Sequence, residues 1–237
     1  MFFKRRSDKH LSKIILMAIL VLGLIIIGCT PSKPKEVKDQ EVRNEIGETI
    51  IMEIEGQQVT RREFESKIQT IKDNMARMEE FPEDWPSEDT KAKVTKQLEV
   101  MKSYAPKLIA YASLLSDYTQ YAAAKKLGIS VSQEKINKQV EATRERIDEL
   151  PEDIQNYIDT VGEKYYWETY LPRGYERALA RAELRNKITS EKGKEGWDEY
   201  RFDLIKETDV KVIDPELEGL EKERALDYLE EFNVASK

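Results

Sequence analysis

The stretch LIAYASLLSDYTQYAAAKKLGI, residues 108–129, decides how the chain is organised. Leu108, Tyr111, Leu115, Tyr118 and Ala122 recur at helical spacing, and Ile109, Ala112 and Leu114 widen the apolar stripe to most of the circumference. A helix that is apolar nearly all round lies inside a structure, surrounded by other elements. These residues are therefore expected to form a central helix. Gly128 stands where a left-handed C-terminal cap belongs, and Ser130 or Ser132 can cap the next helix, with Ile136, Val140, Thr143 and Ile147 as its buried stripe.

Upstream, Pro106 predicts a kink or a restart, because proline cannot supply the amide a helix interior needs. Ser87 is a candidate cap for the preceding helix, and FPEDWPSED, residues 81–89, separates it from an earlier one. That earlier helix starts after Thr60-Arg61-Arg62-Glu63, which has capping-box spacing, and runs to about Glu80 with Phe64, Ile68, Ile71, Met75 and Met78 on one face. Before it, Ile50, Met52 and Ile54 alternate with polar neighbours as in a short strand, which Gly56-Gln57-Gln58 would turn.

Downstream, Pro151 begins a short helix, and residues 163–188 read as a longer one divided by Pro172. Trp197 opens another helix to about Lys206. DVKVID, residues 209–214, is the other convincing strand, and Asp214-Pro215 starts a terminal helix carrying Leu217, Leu220, Leu226 and Leu229. Two lone strands must satisfy their backbone groups, so the first and last are expected to pair as a two-stranded sheet. The fold class is mainly α.

The N-terminal residues read differently. Lys4, Arg5, Arg6, Lys9 and Lys13 precede the uncharged run IILMAILVLGLIII, residues 14–27. That run is shorter than the roughly 20 residues a membrane span needs and fits a secretory signal. Ile26-Ile27-Gly28-Cys29 resembles the lipobox of bacterial lipoproteins, in which the cysteine is diacylated and the chain is cut before it. The organisation expected is a signal peptide over 1–28, a flexible tether over 29–46, a helical lobe over 47–214 and a C-terminal helix over 215–237. Cys29 is the expected lipidation site; two acyl chains give stable anchoring, and the chain would face the extracytoplasmic side of the cell membrane.

Cys29 is the sole cysteine and His10 the sole histidine. A chain beginning at Cys29 holds no histidine and no free thiol, which excludes a Ser-His-Asp triad and an ordinary zinc site. Removing five cations and one anion from the 39 and 46 of the whole chain leaves a net charge of −11, a poor match for nucleic acid. No nucleotide-binding GxxxxGK[ST] occurs, and neither cofactor nor metal is expected. Paired carboxylates such as Glu79-Glu80 and Glu83-Asp84 could serve acid–base chemistry. With so many acids, chance produces them.

The order of these elements is familiar. AAAKKLGISVSQEKINKQV, residues 122–140, resembles the N-terminal domain of SurA-type chaperones and the matching lobe of PrsA-type foldases. Ile54-Glu55-Gly56-Gln57-Gln58-Val59-Thr60 with Phe64 resembles that family's opening, with Glu55 in place of its usual asparagine. Tyr166-Trp167-Glu168-Thr169-Tyr170, Leu184-Arg185-Asn186-Lys187-Ile188, the Trp197 helix and DVKVID resemble its later segments. The resemblance implies an orthogonal multi-helix lobe that binds unfolded or newly secreted polypeptides. Many members insert a parvulin prolyl-isomerase domain before the closing segment. Here TSEKGKEGWD alone separates Ile188 from the last such helix, so no isomerase activity is expected and the protein is not expected to be an enzyme.

Broad polypeptide binding favours aromatic side chains with a polar tip. The candidates are Tyr104, Tyr111 and Tyr118 at seven-residue spacing, Tyr121 beside them, Tyr166, Trp167 and Tyr170, and Phe81 and Trp85 in the proline-rich loop. The competing reading is ordinary packing, since aromatic stripes at helical spacing usually belong to cores. A membrane-tethered holdase therefore competes with a lipoprotein dedicated to one envelope or spore-associated partner. Oligomeric state is not legible.

Overall fold

A computed structural model describes residues 48–80, 87–150 and 152–236. The signal, the lipobox with Cys29, the tether, and Phe81 and Trp85 lie outside the described residues. Strand β1 (Ile50–Ile54) and strand β2 (Gln57–Thr60) lead into α1 (Arg61–Glu80), α2 (Glu88–Ser103), α3 (Pro106–Lys126) and α4 (Gln133–Arg144). A 3-10 turn precedes α5 (Glu152–Val161). A helical turn, Glu163–Tyr165, passes through a π-helical segment, Tyr166–Tyr170, into α6 (Leu171–Glu207). Strand β3 (Val210–Val212), a 3-10 turn over Pro215–Leu217 and α7 (Lys222–Ala235) follow.

The sheet has three strands in the order β2-β1-β3, not two. The first and last strands do pair, antiparallel, with Met52 opposite Val212 and Ile54 opposite Val210. The additional strand arises because Glu55 (φ 50) and Gly56 (φ 71) both adopt left-handed backbone. Positive φ at both central positions suits the tight primed turn that joins hairpin strands. Gln57–Thr60 therefore returns along β1 instead of serving as the turn.

Caps set the helix starts. Thr60 Oγ1 accepts from the Glu63 amide at 3.2 Å, Ser87 from Thr90 and Ser132 from Lys135. Pro106 restarts the chain as the first residue of α3. Gly128 (φ 70) caps its far end, where the Ile129 amide returns to the Ala124 carbonyl at 2.9 Å. Two expected boundaries shift. Pro172 does not divide the long helix, because the turn immediately before it widens to π geometry where the proline ring would meet the Glu168 carbonyl. The terminal helix starts at Lys222, not Pro215, since Gly219 (φ 93) ends the 3-10 turn, so Leu217 and Leu220 precede it.

The long helix instead breaks at Gly193 (φ 76, ψ 178). Arg181 pairs with Asp117, and Thr208 hydrogen-bonds Thr119, two residues further along α3. A straight helix would hold residues 181 and 208 about 40 Å apart, so the chain folds back at Gly193 and both limbs pack on α3. Gly196 makes that bend possible: a Cβ there would stand 2.5 Å from Lys192 Cβ.

The central-helix expectation holds. α3 touches β1, α1, α6 and α7, and Leu108, Ile109, Tyr111, Leu114, Leu115 and Tyr118 are all buried. Each such side chain contributes about 1.5–3 kcal/mol by leaving water. The main core joins α3 to the sheet, to Phe64 and Ile71 of α1, and to Leu226 and Tyr228 of α7. A second core lies among α4, α5 and the π segment, and a third forms where Ala123, Ala124, Leu184, Ile188 and Trp197 meet.

Candidate polypeptide-binding site

The second core is where aromatic side chains converge. Tyr157 of α5 meets Tyr170 edge-on at 4.8 Å and Tyr166 at 6.0 Å between centroids. Tyr166 also meets Trp167 edge-on at 4.9 Å. The wider π turn brings Tyr166, Trp167 and Tyr170 toward one wall, and Ile154 and Ile158 of α5 with Ile136 and Val140 of α4 close it. Two guanidinium groups cap the rings: Arg62 stands 4.2 Å from the Tyr157 centroid and Arg144 stands 4.9 Å from that of Trp167. Burial pushes the Tyr157, Tyr166 and Tyr170 hydroxyls above the ordinary phenol range, so the rings stay neutral at physiological pH.

Between this cluster and the main core runs a ladder of charges. Glu63 and Lys67 lie one turn apart on α1, and Arg177 and Arg181 one turn apart on α6. Asp117 and Tyr118 of α3 stand between them. In the upper rung Tyr118 Oη donates to Glu63 Oε2 at 2.6 Å, and Arg177 donates to Tyr118 Oη at 2.5 Å and to Glu63 Oε1 at 3.1 Å. In the lower rung Lys67 Nζ donates to Asp117 Oδ2 at 3.1 Å while Arg181 holds Asp117 Oδ1. Glu63 was expected to complete a local capping box. It instead makes a contact 114 residues away, because burial against Tyr118 and Arg177 offers a stronger partner than a solvated backbone amide.

The sequence-nominated aromatics separate on this framework. Tyr166, Trp167 and Tyr170 come together in the second core. Tyr111 and Tyr118 are each 2% exposed and lie in the main core. Burial raises the Tyr111 hydroxyl to about 12. Tyr104 does not continue their line: it caps α2, on the far side of Pro106, and packs edge-on against Tyr228 at 5.3 Å. Tyr121 is half-buried, and its hydroxyl donates to Glu176 at 2.9 Å. Among the described residues the large apolar side chains on the surface are Leu127, Val212 and Val234, scattered over three elements.

Sequence reasoning missed Tyr157, Arg62 and Glu48. Tyr157 lies between Ile154 and Ile158 on the stripe of α5, a signal that was available. Arg62 pairs with Glu48 at 3.0 Å, a contact made when the β1–β2 hairpin closes and brings its two flanks together. No group of three or more His, Cys, Asp or Glu side chains among the described residues could hold a metal ion. No described helix is long and apolar enough to cross a membrane.

A mainly helical lobe, closed by a sheet that ties its first strand to its last, is the class of protein this architecture defines. The chain belongs to the SurA-like N-terminal domain family, which matches residues 1–150. No curated protein and no solved structure matches it.

Proposed function

We propose that this protein is a membrane-anchored, extracytoplasmic lipoprotein that binds unfolded or newly secreted polypeptides in the manner of a chaperone, without prolyl-isomerase activity. The observation that carries this reading is membership of the SurA-like N-terminal domain family. The signal over 1–28, acylation of Cys29 and the tether over 29–46 supply the anchoring, read from the sequence pattern. The short TSEKGKEGWD stretch after Ile188, where the resemblance would have a parvulin domain inserted, supports the reading without isomerase activity.

The aromatic cluster is the binding surface of this proposal. Its rings are packed, so binding requires α5 to lift from the π segment. That exposes Tyr166, Trp167 and Tyr170 as a sequence-tolerant aromatic floor with polar tips, with Tyr157 facing it from the lifted helix. Weak, rapidly exchanging contacts and the client's own folding would set release, with no nucleotide involved.

A second reading, a lobe dedicated to one envelope or spore-associated partner, is favoured by the scarcity of exposed apolar surface among the described residues. Aggregation suppression separates the two. The full chain in mild detergent is titrated into chemically unfolded clients during dilution, with an inert acidic protein as control, and light scattering is followed. Suppression of several clients at near-stoichiometric ratio supports the chaperone. Scattering equal to the control for every client leaves the single-partner reading, which predicts one dominant, saturable pull-down product.

A further inference from the structure

The fold-back at Gly193 leaves a cavity of about 490 Å³ lined by Arg185, Asn186, Thr189, Ser190, Lys194 and Trp197. Two cations and three neutral hydrogen-bonding side chains face it, and no carboxylate does. That is unusual placement on a chain with 46 acids and 39 bases. Ser190 Oγ donates to the Lys187 carbonyl, whereas the side chains of Arg185, Asn186, Thr189 and Lys194, on the same helical segment, pair with no other described side chain. The nearby Glu191 is taken by Lys187 at 2.7 Å.

Arg201 stands on the returning limb and does not line the cavity. Burial pushes the Arg201 guanidinium below its ordinary range; Asp198 opposes this, and the neighbouring charge of Arg185 adds to it. Arg201 Nε is buried with no hydrogen-bond partner among the described residues. Arg185 and Lys194 on the cavity wall, with no carboxylate in its lining, favour an anion there. Trp197, packed in the third core and 4% exposed, contributes an apolar edge to the lining.

We propose that this cavity binds a carboxylate carried on an apolar body, namely the free C-terminal carboxylate of a polypeptide whose last residue is aromatic or aliphatic. Arg185 and Lys194 take the carboxylate, Asn186 and Thr189 bond the last peptide unit, and Trp197 meets the terminal side chain. The identity of the ligand rests on the polypeptide-binding reading above. The site itself lies apart from the aromatic cluster and selects chain ends, not internal segments.

The test is binding of a fluorescent hexapeptide ending in Phe to the full chain in mild detergent, as the free acid and as the C-terminal amide. The free acid is expected to bind at least about tenfold more tightly, the loss typical of one charge-assisted contact. Arg185→Gln and Lys194→Gln, both on exposed side chains, are each expected to remove that preference. Inorganic phosphate and decanoate are the competitors. Equal binding of acid and amide, or no binding, overturns the proposal. Displacement by phosphate at the peptide's own concentration makes the site a simple oxyanion pocket. Displacement by decanoate makes it a fatty-carboxylate pocket, and either overturns the assignment to chain ends. Aggregation suppression on the same sample keeps the two readings distinct. Suppression without acid-over-amide preference removes this inference alone, and preference without suppression removes the chaperone reading alone.

Discussion

The Lys67 ammonium, 3% exposed, lies 3.1 Å from Asp117 Oδ2, and the other oxygen of that carboxylate belongs to Arg181. One acid thus serves two cations from two helices. Asp117→Asn is expected to cost about 3 kcal/mol, because it leaves both cations without their counter-charge. Lys67→Met keeps the Asp117–Arg181 pair and a similar volume, and is expected to cost less than about 1.5 kcal/mol. Urea midpoints of the two variants check the order. Equal losses would show that the pairs are not shared in this way.

The same carboxyl makes stability depend on acid. Burial opposes its ionisation, but Arg181 and Lys67 outweigh burial and hold it below its ordinary value of 3.8. A depressed acid contributes fully above the unfolded value and loses that contribution as pH falls through the folded one. Stability is therefore expected to drop below the ordinary aspartate range, with a component that Asp117→Asn lacks. Lys67 behaves in the opposite range. Burial lowers its value below 10.5, with Asp117 resisting. The cost of keeping it charged is full below the folded value and is relieved as pH rises toward 10.5. Unfolding midpoints across both limbs, compared between parent and variant, read these slopes.

Gly193, at φ 76 and ψ 178, occupies backbone space essentially reserved for glycine. Gly193→Ala is expected to lower stability by about 1–3 kcal/mol for the strained backbone alone. Gly196→Ala meets Lys192 Cβ, which cannot swing away, and is expected to disturb the bend as well. Calorimetric midpoints decide it. A neutral Gly193→Ala would mean that the long helix runs straight.

Trp167 is 5% exposed and packs in the aromatic cluster. Trp167→Ala is expected to cost about 3–5 kcal/mol, as for other large core deletions. Changing Trp167, Tyr111 and Tyr118 together to polar residues is therefore expected to unfold the lobe and says nothing of binding, since all three are buried. Hydrogen exchange is the cleaner measurement. If α5 opens to admit clients, amides of Glu152–Val161 exchange faster than those of α3 in the resting protein, and their protection changes when an unfolded client is added. Uniform exchange of the two helices would count against that opening.

Tyr118→Phe isolates the upper rung of the ladder. Glu63 and Arg177 keep their own 3.1 Å bond, so the loss is expected to be about 1–2 kcal/mol, the scale of hydrogen bonds to charged groups. Thermal unfolding would show this as a modest fall in midpoint with an unchanged native circular-dichroism spectrum.

The sequence by itself determined the helices, the central position of residues 108–126, the caps at Thr60, Ser87, Ser132 and Gly128, and the pairing of the first and last strands. These follow from periodicity and capping, which act over one or two turns and leave local marks. What only the tertiary structure decided was which faces meet. Glu63 was written in a local capping pattern and went instead to Arg177. Tyr104 matched the spacing of Tyr111 and Tyr118 but was carried away by the restart at Pro106. The second strand, the π turn before Pro172 and the fold-back at Gly193 each depend on backbone states that an amino-acid letter permits without requiring. The aromatic floor shows the same division. Its rings were visible as letters, but their burial beneath α5 came from long-range packing, where the same apolar side chain serves equally as core or as binding surface.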